Sequence, residues 1–198
     1  LRANVITKSG KAVETAGDID VLLLDKTGTI TIGNRKATKF YPAIGIDEKH
    51  FVKSVVLSSM SDETPEGKSI VELGEKLDVK GEMKKDLSLL TYNSLRTIKF
   101  TAETRSSGID YENTRIRKGA TDAIKNIVIS AGNIFPVEIA EKVKEISNNG
   151  GTPLVVSENE KVLGVVELQD IIKPGIQERF ERLRKMGIKT VIVTGDNP

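Results

Sequence analysis

Near both ends of this chain a short apolar run breaks at once into a polar, glycine-bearing turn, and this constrains the fold more than any other feature. Val21-Leu22-Leu23-Leu24 leads into Asp25-Lys26-Thr27-Gly28-Thr29, and Thr190-Val191-Ile192-Val193 leads into Thr194-Gly195-Asp196-Asn197. An apolar run without alternation is what a strand covered on both faces shows. Ahead of the second run the pattern is helical from Pro174 to Met186. Proline stands near its N-terminus, Gly187 acts as a stop, and Ile176, Phe180 and Leu183 share one face. Helix, tight turn and apolar strand make half of a parallel α/β unit.

Between these ends the text changes. Asp47 to Met60 reads as a helix with Phe51, Val52, Val55 and Val56 in a stripe, and Thr64-Pro65-Glu66 opens a second helix as cap, first-turn proline and first-turn acid. Short strands follow at Leu95 to Phe100, Gly108 to Glu112 and Arg115 to Lys118. Helices are expected at Ala120 to Ser130 and Pro136 to Ser147. A hairpin joins Thr152–Ser157 to Lys161–Gln169 around Glu158-Asn159-Glu160. An α+β middle flanked by two similar strand–turn units predicts one domain inserted into another. The expected division is 1–33 and 169–198 for the split outer domain and 34–168 for the insert.

Composition excludes several classes. The 198 residues are 38% apolar, enough for a packed core and too much for a disordered chain. Thirty basic against 28 acidic residues leave a net charge of +2, which argues against nucleic acid or a membrane surface as the main partner. Without cysteine there are no disulfides and no thiolate metal site. No apolar run approaches the roughly 18 residues of a membrane span. The first residue is Leu1, so the chain is expected to be a piece of a longer protein.

Asp25 is the candidate catalytic residue. A carboxylate attacks phosphorus only when held in line and with charge neutralised around it. Asp25 follows an apolar strand directly, at the edge where parallel α/β sheets gather ligands. Lys26 adds positive charge, Thr27 and Thr29 offer hydroxyls and backbone groups, and Gly28 permits close approach of the main chain. A divalent ion is needed there, and Mg2+ is the usual partner of phosphate oxygens. The alternative is a plain turn, since Asp, Thr and Gly are common turn residues. The continuation Ile30-Thr31-Ile32-Gly33-Asn34-Arg35 weighs against it.

A second cluster is less legible. Phe100 at a strand end could stack on a base or fill the core. Arg105 could supply charge and hydrogen bonds. Lys118 could present an ammonium or sit in a solvated turn, and Gly119 would leave room for a ligand. Asp62 and Glu66 straddle a helix start, so they could cap it or accept hydrogen bonds from a ligand. Arg35 and Lys36 read as a solvated linker, with hinge or phosphate contact as the alternative. The lone His50 is given no role, and Glu181 to Lys185 reads as a solvated helix face.

Asp25-Lys26-Thr27-Gly28-Thr29 followed by Ile30-Thr31 resembles the signature of the P-type ATPases. Val21 to Arg35, Asp62 to Gly67, Phe100-Thr101-Ala102, Arg117-Lys118-Gly119 and Thr194 to Asn197 narrow the resemblance to the ATP-binding subunits of the Kdp-type potassium-transporting branch. It implies an α/β fold: a split Rossmann-like, haloacid-dehalogenase-type phosphorylation domain, incomplete here, with an inserted α+β nucleotide-binding domain of antiparallel sheet and flanking helices. It implies that Asp25 forms an aspartyl-phosphate and that the Asp25 side chain and the Thr27 carbonyl ligate Mg2+. It also places Asp62, Glu66, Phe100, Thr101, Ala102, Glu103, Thr104, Arg105, Ser106, Ser107 and Lys118 around ATP. Ser106 departs from the pattern, which has methionine there, so one apolar contact to the base is in doubt.

By the same resemblance the parent is an integral membrane pump with this portion on the cytoplasmic face. Its partners are a channel-like potassium-binding subunit and small accessory subunits. The later acidic motif of the phosphorylation domain, the actuator domain and the membrane helices are expected outside these residues. Two alternatives are a stand-alone haloacid-dehalogenase-type phosphatase and a non-catalytic nucleotide-binding module. The first favours a second Asp two residues after the nucleophile, where this chain has Thr27.

Overall fold

The computed structural model describes residues 6–78, 81 and 95–193. The chain forms two compact units, Leu1–Gly33 with Ile171–Pro198, and Asn34–Asp170.

In the first unit, Ser9 caps α1 (Gly10–Gly17) by accepting a hydrogen bond from the Ala12 amide at 3.2 Å. The sequence analysis did not anticipate this helix. β1 (Val21–Asp25) pairs in parallel with the last strand, β8 (Lys189–Val193), from Val21 opposite Lys189 to Asp25 opposite Val193. The expected cover on both faces of β1 is not found. Leu22 and Leu24 are half-buried while Val21 and Leu23 are exposed. Successive side chains point to opposite faces, and the described residues of this unit cover only one of them.

The expected helix ahead of β8 is α6 (Ile176–Lys185), with Ile176, Phe180 and Leu183 as its half-buried positions. It ends in two reverse hydrogen bonds, Gly187 N–H to the Arg184 carbonyl at 3.0 Å and Ile188 N–H to the Leu183 carbonyl at 3.0 Å. This Schellman arrangement needs a left-handed residue, and Gly187 supplies it at φ 81°.

The second unit is built on a six-stranded sheet in the order β2-β7-β6-β5-β4-β3, comprising β2 (Thr31–Pro42), β3 (Leu95–Ile98), β4 (Ser106–Tyr111), β5 (Thr114–Gly119), β6 (Thr152–Glu158) and β7 (Lys161–Ile172). Strands β3 through β7 pair antiparallel in succession. The β6–β7 hairpin closes with Glu158 opposite Lys161. Asn159 and Glu160 between them take φ 46° and 59°, the left-handed pair of a two-residue hairpin turn.

Helices cover both faces of this sheet, and β6 and β7 show why their sequences lack alternation. Val156 and Val166 face a cluster with Phe51, Val55 and Leu57 of α2 (Glu48–Leu57) and Ile70 of α3 (Pro65–Leu77). Their neighbours Val155 and Val165 face Ile124 and Val128 of α4 (Thr121–Ser130) and Ile139 and Ile146 of α5 (Val137–Asn148). Adjacent residues therefore belong to different cores. Every residue from Val162 to Leu168 is buried.

The expected linker at Arg35 and Lys36 is instead part of β2. Arg35 Nε lies 3.6 Å from Asp170 Oδ1 on β7. On this edge strand Ile32, Gly33, Asn34, Lys36, Thr38 and Lys39 are exposed while Ala37, Phe40 and Tyr41 pack against the cores, so no simple apolar periodicity marks it in the sequence. Its place beside β7 decides its conformation.

Candidate phosphoryl-transfer turn and nucleotide site

Asp25 is the last residue of β1 and is exposed. After it, Lys26–Ile30 forms a wide turn in which Thr27 (φ −75°, ψ 124°) and Gly28 (φ 76°, ψ −17°) leave helical geometry. The Thr31 hydroxyl holds the turn together, accepting from the Gly28 amide at 3.4 Å and donating to the Lys26 carbonyl at 3.3 Å. From the far end of β7, the Lys173 amide donates to the Ile30 carbonyl at 2.9 Å and the Lys173 ammonium donates to the Gly28 carbonyl. Lys173 escaped the sequence analysis because nothing local ties it to residues some 145 positions earlier.

The turn offers oxygen donors, the Asp25 carboxylate and the Thr27 carbonyl, and hard oxygen ligands suit Mg2+. Among the described residues no group of three or more His, Cys, Asp or Glu gathers to hold a metal by itself. The matching turn at Thr194-Gly195-Asp196-Asn197 lies outside the described residues.

In the second unit the structure joins Asp62 to Lys118. Lys118 is the penultimate residue of β5 and is 3% exposed, so the solvated-turn reading fails. Its ammonium donates to Asp62 Oδ2 at 2.7 Å and to Ser59 Oγ at 2.8 Å. The lysine lies on the sheet face that carries Ile116 and Val156, which directs it toward the end of α2.

Asp62 has a further task. Its Oδ1 accepts from the Thr64 amide at 3.1 Å and the Thr64 hydroxyl at 2.6 Å, while Thr64 Oγ1 caps α3 by accepting from the Gly67 amide at 3.1 Å. The approach is so close that a Cβ on Gly67 would lie 2.4 Å from Asp62 Cγ. Burial pushes the Asp62 carboxyl up, but the hydrogen bonds from Lys118 and Thr64 and the Lys118 charge hold it below its ordinary value. Burial pushes the Lys118 ammonium down, and Asp62 offsets this only in part.

The loop before β4 carries the remaining candidates. Phe100 lies two residues past β3 and is 60% exposed, which rules out the core alternative. Thr101 to Arg105 are exposed and closed into a turn. The Arg105 amide donates to the Thr101 carbonyl at 2.8 Å, and the Thr101 and Thr104 hydroxyls pair at 2.8 Å. Ala102 and Glu103 occupy the tip of this turn.

Ser106 and Ser107 are buried in β4, opposite Gly119 and Lys118. Strand β4 thus begins two residues earlier than expected, and Ser106 is packed into the sheet. Gly119 makes room for the chain itself: a Cβ there would lie 2.4 Å from the Arg105 carbonyl, which accepts from the Ala120 amide at 3.0 Å. Arg105 Nη1 pairs with Asp122 Oδ2 of α4 at 2.6 Å, a partner missed in the sequence. Glu66 is half-buried in the first turn of α3. The structure therefore links Asp62 to Lys118 and sets Lys118 beside Ser107, whereas Phe100 and Glu66 are not members of that network.

A family model described as haloacid dehalogenase-like hydrolase matches residues 19–198. The chain belongs to this family. Within it, the chain is 56% identical over 198 residues to the potassium-transporting ATPase ATP-binding subunit of Deinococcus radiodurans and 53% identical to that of Clostridium botulinum (strain Alaska E43 / Type E3). All of this chain is matched in both cases, and it spans 28% of the length of each relative. Among solved structures, a zinc-transporting PIB-type ATPase in the E2.Pi state superposes over the whole chain and 29% of its own length, with a TM-score of 0.70 and 26% identity. The α/β architecture expected for this haloacid dehalogenase-like chain, with its antiparallel sheet and flanking helices, is the one observed. Among the described residues no helix is long and apolar enough to cross a membrane.

Proposed function

We propose that this chain is the ATP-binding and phosphoryl-accepting portion of a potassium-transporting P-type ATPase. In the parent protein the γ-phosphoryl group of ATP passes to Asp25. The observation that carries the reading is Asp25 itself, exposed at the C-terminal end of a parallel strand and followed by a turn held by Thr31 and Lys173. The identity to potassium-transporting ATP-binding subunits supports the same assignment.

Each residue has a role in this reading. A carboxylate oxygen of Asp25 attacks phosphorus, the bond to the bridging oxygen of ADP breaks, and an acyl-phosphate forms on the side chain. Mg2+, held by the Asp25 carboxylate and the Thr27 carbonyl, would supply charge neutralisation for the transferred group. Thr27 stands where a phosphatase of this family would place an acid, so no general acid there hastens hydrolysis and the acyl-phosphate persists. Phe100 stacks on adenine, Arg105 and the Thr101–Thr104 turn face the ligand, and Lys118 with Asp62 fixes the floor of the site. Asp62 and Glu66 accept from the base or ribose.

The parent works at the cytoplasmic face of a membrane, with a channel-like potassium-binding subunit and small accessory subunits as partners. Radiolabelled γ-phosphate from ATP should appear on the full-length protein as a hydroxylamine-labile label. Asp25→Asn should abolish that label while ATP still binds. A label of unchanged intensity in the variant would sink the assignment.

A further inference from the structure

Nothing in the sequence pairs Arg105 with Asp122, yet their side chains meet at 2.6 Å beside the candidate nucleotide site. The arginine backbone is fixed. It sits in the left-handed region at φ 46°, its amide is bonded to the Thr101 carbonyl at 2.8 Å, and its own carbonyl accepts from the Ala120 amide at 3.0 Å. Only the side chain is free to swing. The contact to Asp122 uses the single nitrogen Nη1, which leaves further guanidinium donors for another anion.

Asp122 is held from its own side. It lies in the first turn of α4, whose cap residue Ala120 makes no side-chain hydrogen bond, and a carboxylate is favoured at such a helix start. The two side chains are 54% and 62% exposed. An ion pair in that setting is weak and exchanges readily. A phosphate group presents charge and geometry that match the guanidinium better than one carboxylate oxygen does.

We propose that Asp122 is a competing anion that holds Arg105 away from the ligand until a nucleotide phosphate displaces it, and so sets how strongly the site counts phosphates. This rests on the nucleotide site described above. The acid lowers affinity for the polyphosphate part of the ligand and leaves affinity for the nucleoside part alone. Arg105 is the ligand-facing group, and Asp122 acts through it.

The test is an amide-shift titration of this 198-residue chain with ATP, ADP and adenosine, using wild type, Asp122→Asn, Arg105→Gln and the double variant. Asp122→Asn should tighten ATP binding by about 1.5- to 5-fold, the range of an exposed ion pair. ADP should gain less and adenosine nothing. In the Arg105→Gln background the substitution at 122 should have no effect on ATP. Unchanged or weaker ATP binding by Asp122→Asn overturns the proposal. So does a gain that persists without Arg105, because that is general repulsion between Asp122 and phosphate. If wild type itself gives no ATP-dependent shift, the nucleotide-site reading falls and takes this proposal with it. ATP binding by wild type with no change in Asp122→Asn removes this proposal alone.

Discussion

The ammonium of Lys118 and the carboxylate of Asp62 meet at 2.7 Å and tie the end of β5 to the turn that starts α3. Lys118 is almost wholly enclosed, and its other partner is the Ser59 hydroxyl. Removing one member of such a pair strands the other charge in a low-dielectric site, which costs more than the pair itself contributes. Asp62→Ala should therefore lower the unfolding free energy by about 3 kcal/mol in urea denaturation. Adding Lys118→Met should recover a large part of that loss. A loss under about 1 kcal/mol in the single variant would show the lysine reaching solvent instead.

The same carboxylate sets an acid limit. Asp62 ionises below its ordinary value in the folded chain, so the folded state binds fewer protons than the unfolded state as pH falls through the carboxylate range. The stability it contributes is complete above the unfolded value of about 3.9 and is lost as pH drops through the folded value. Urea midpoints measured downward from pH 5 should fall more steeply in wild type than in Asp62→Asn. Parallel curves would assign the acid loss to other groups.

Phe100 separates binding from folding. The residue is 60% exposed, so Phe100→Ala should change the unfolding free energy by less than about 0.5 kcal/mol. The same substitution should weaken ATP binding by about 1–3 kcal/mol, the worth of a base stacked on an aromatic ring. Unaltered ATP affinity would remove stacking as the anchor. A large stability loss would place the ring in the core after all.

Tyr41 supplies an alkaline marker at the β2–β7 end of the sheet. Burial, then the hydrogen bond its hydroxyl donates to Glu167 at 2.8 Å and the charge of that carboxylate, push its pKa up to about 12. A raised value means the neutral phenol is favoured in the folded state. That contribution is full below about pH 10 and is lost as pH rises toward 12. Phenolate absorbance should show late titration of Tyr41, and Glu167→Gln should bring its midpoint down. An unmoved midpoint would exclude the carboxylate as a cause.

The sequence by itself determined the elements whose signals are local. The stripe Phe51, Val52, Val55 and Val56 lies on α2, Thr64-Pro65 opens α3, Gly187 ends α6, and Asn159-Glu160 turns the β6–β7 hairpin. Each rests on helical periodicity, a cap or a positive φ within a few residues. Asp25 and its turn were legible for the same reason, as one contiguous motif after one strand. Tertiary structure alone decided what depends on residues far apart in the chain. Edge strand β2 exists because β7 lies beside it, and its mix of exposed and half-buried side chains carries no simple pattern of its own. The Lys118–Asp62 and Arg105–Asp122 pairs and the Lys173 contact to Gly28 join positions 56, 17 and 145 residues apart. A lysine before a glycine reads as solvated until the sheet register turns it inward, because burial and charge pairing are properties of the packed chain.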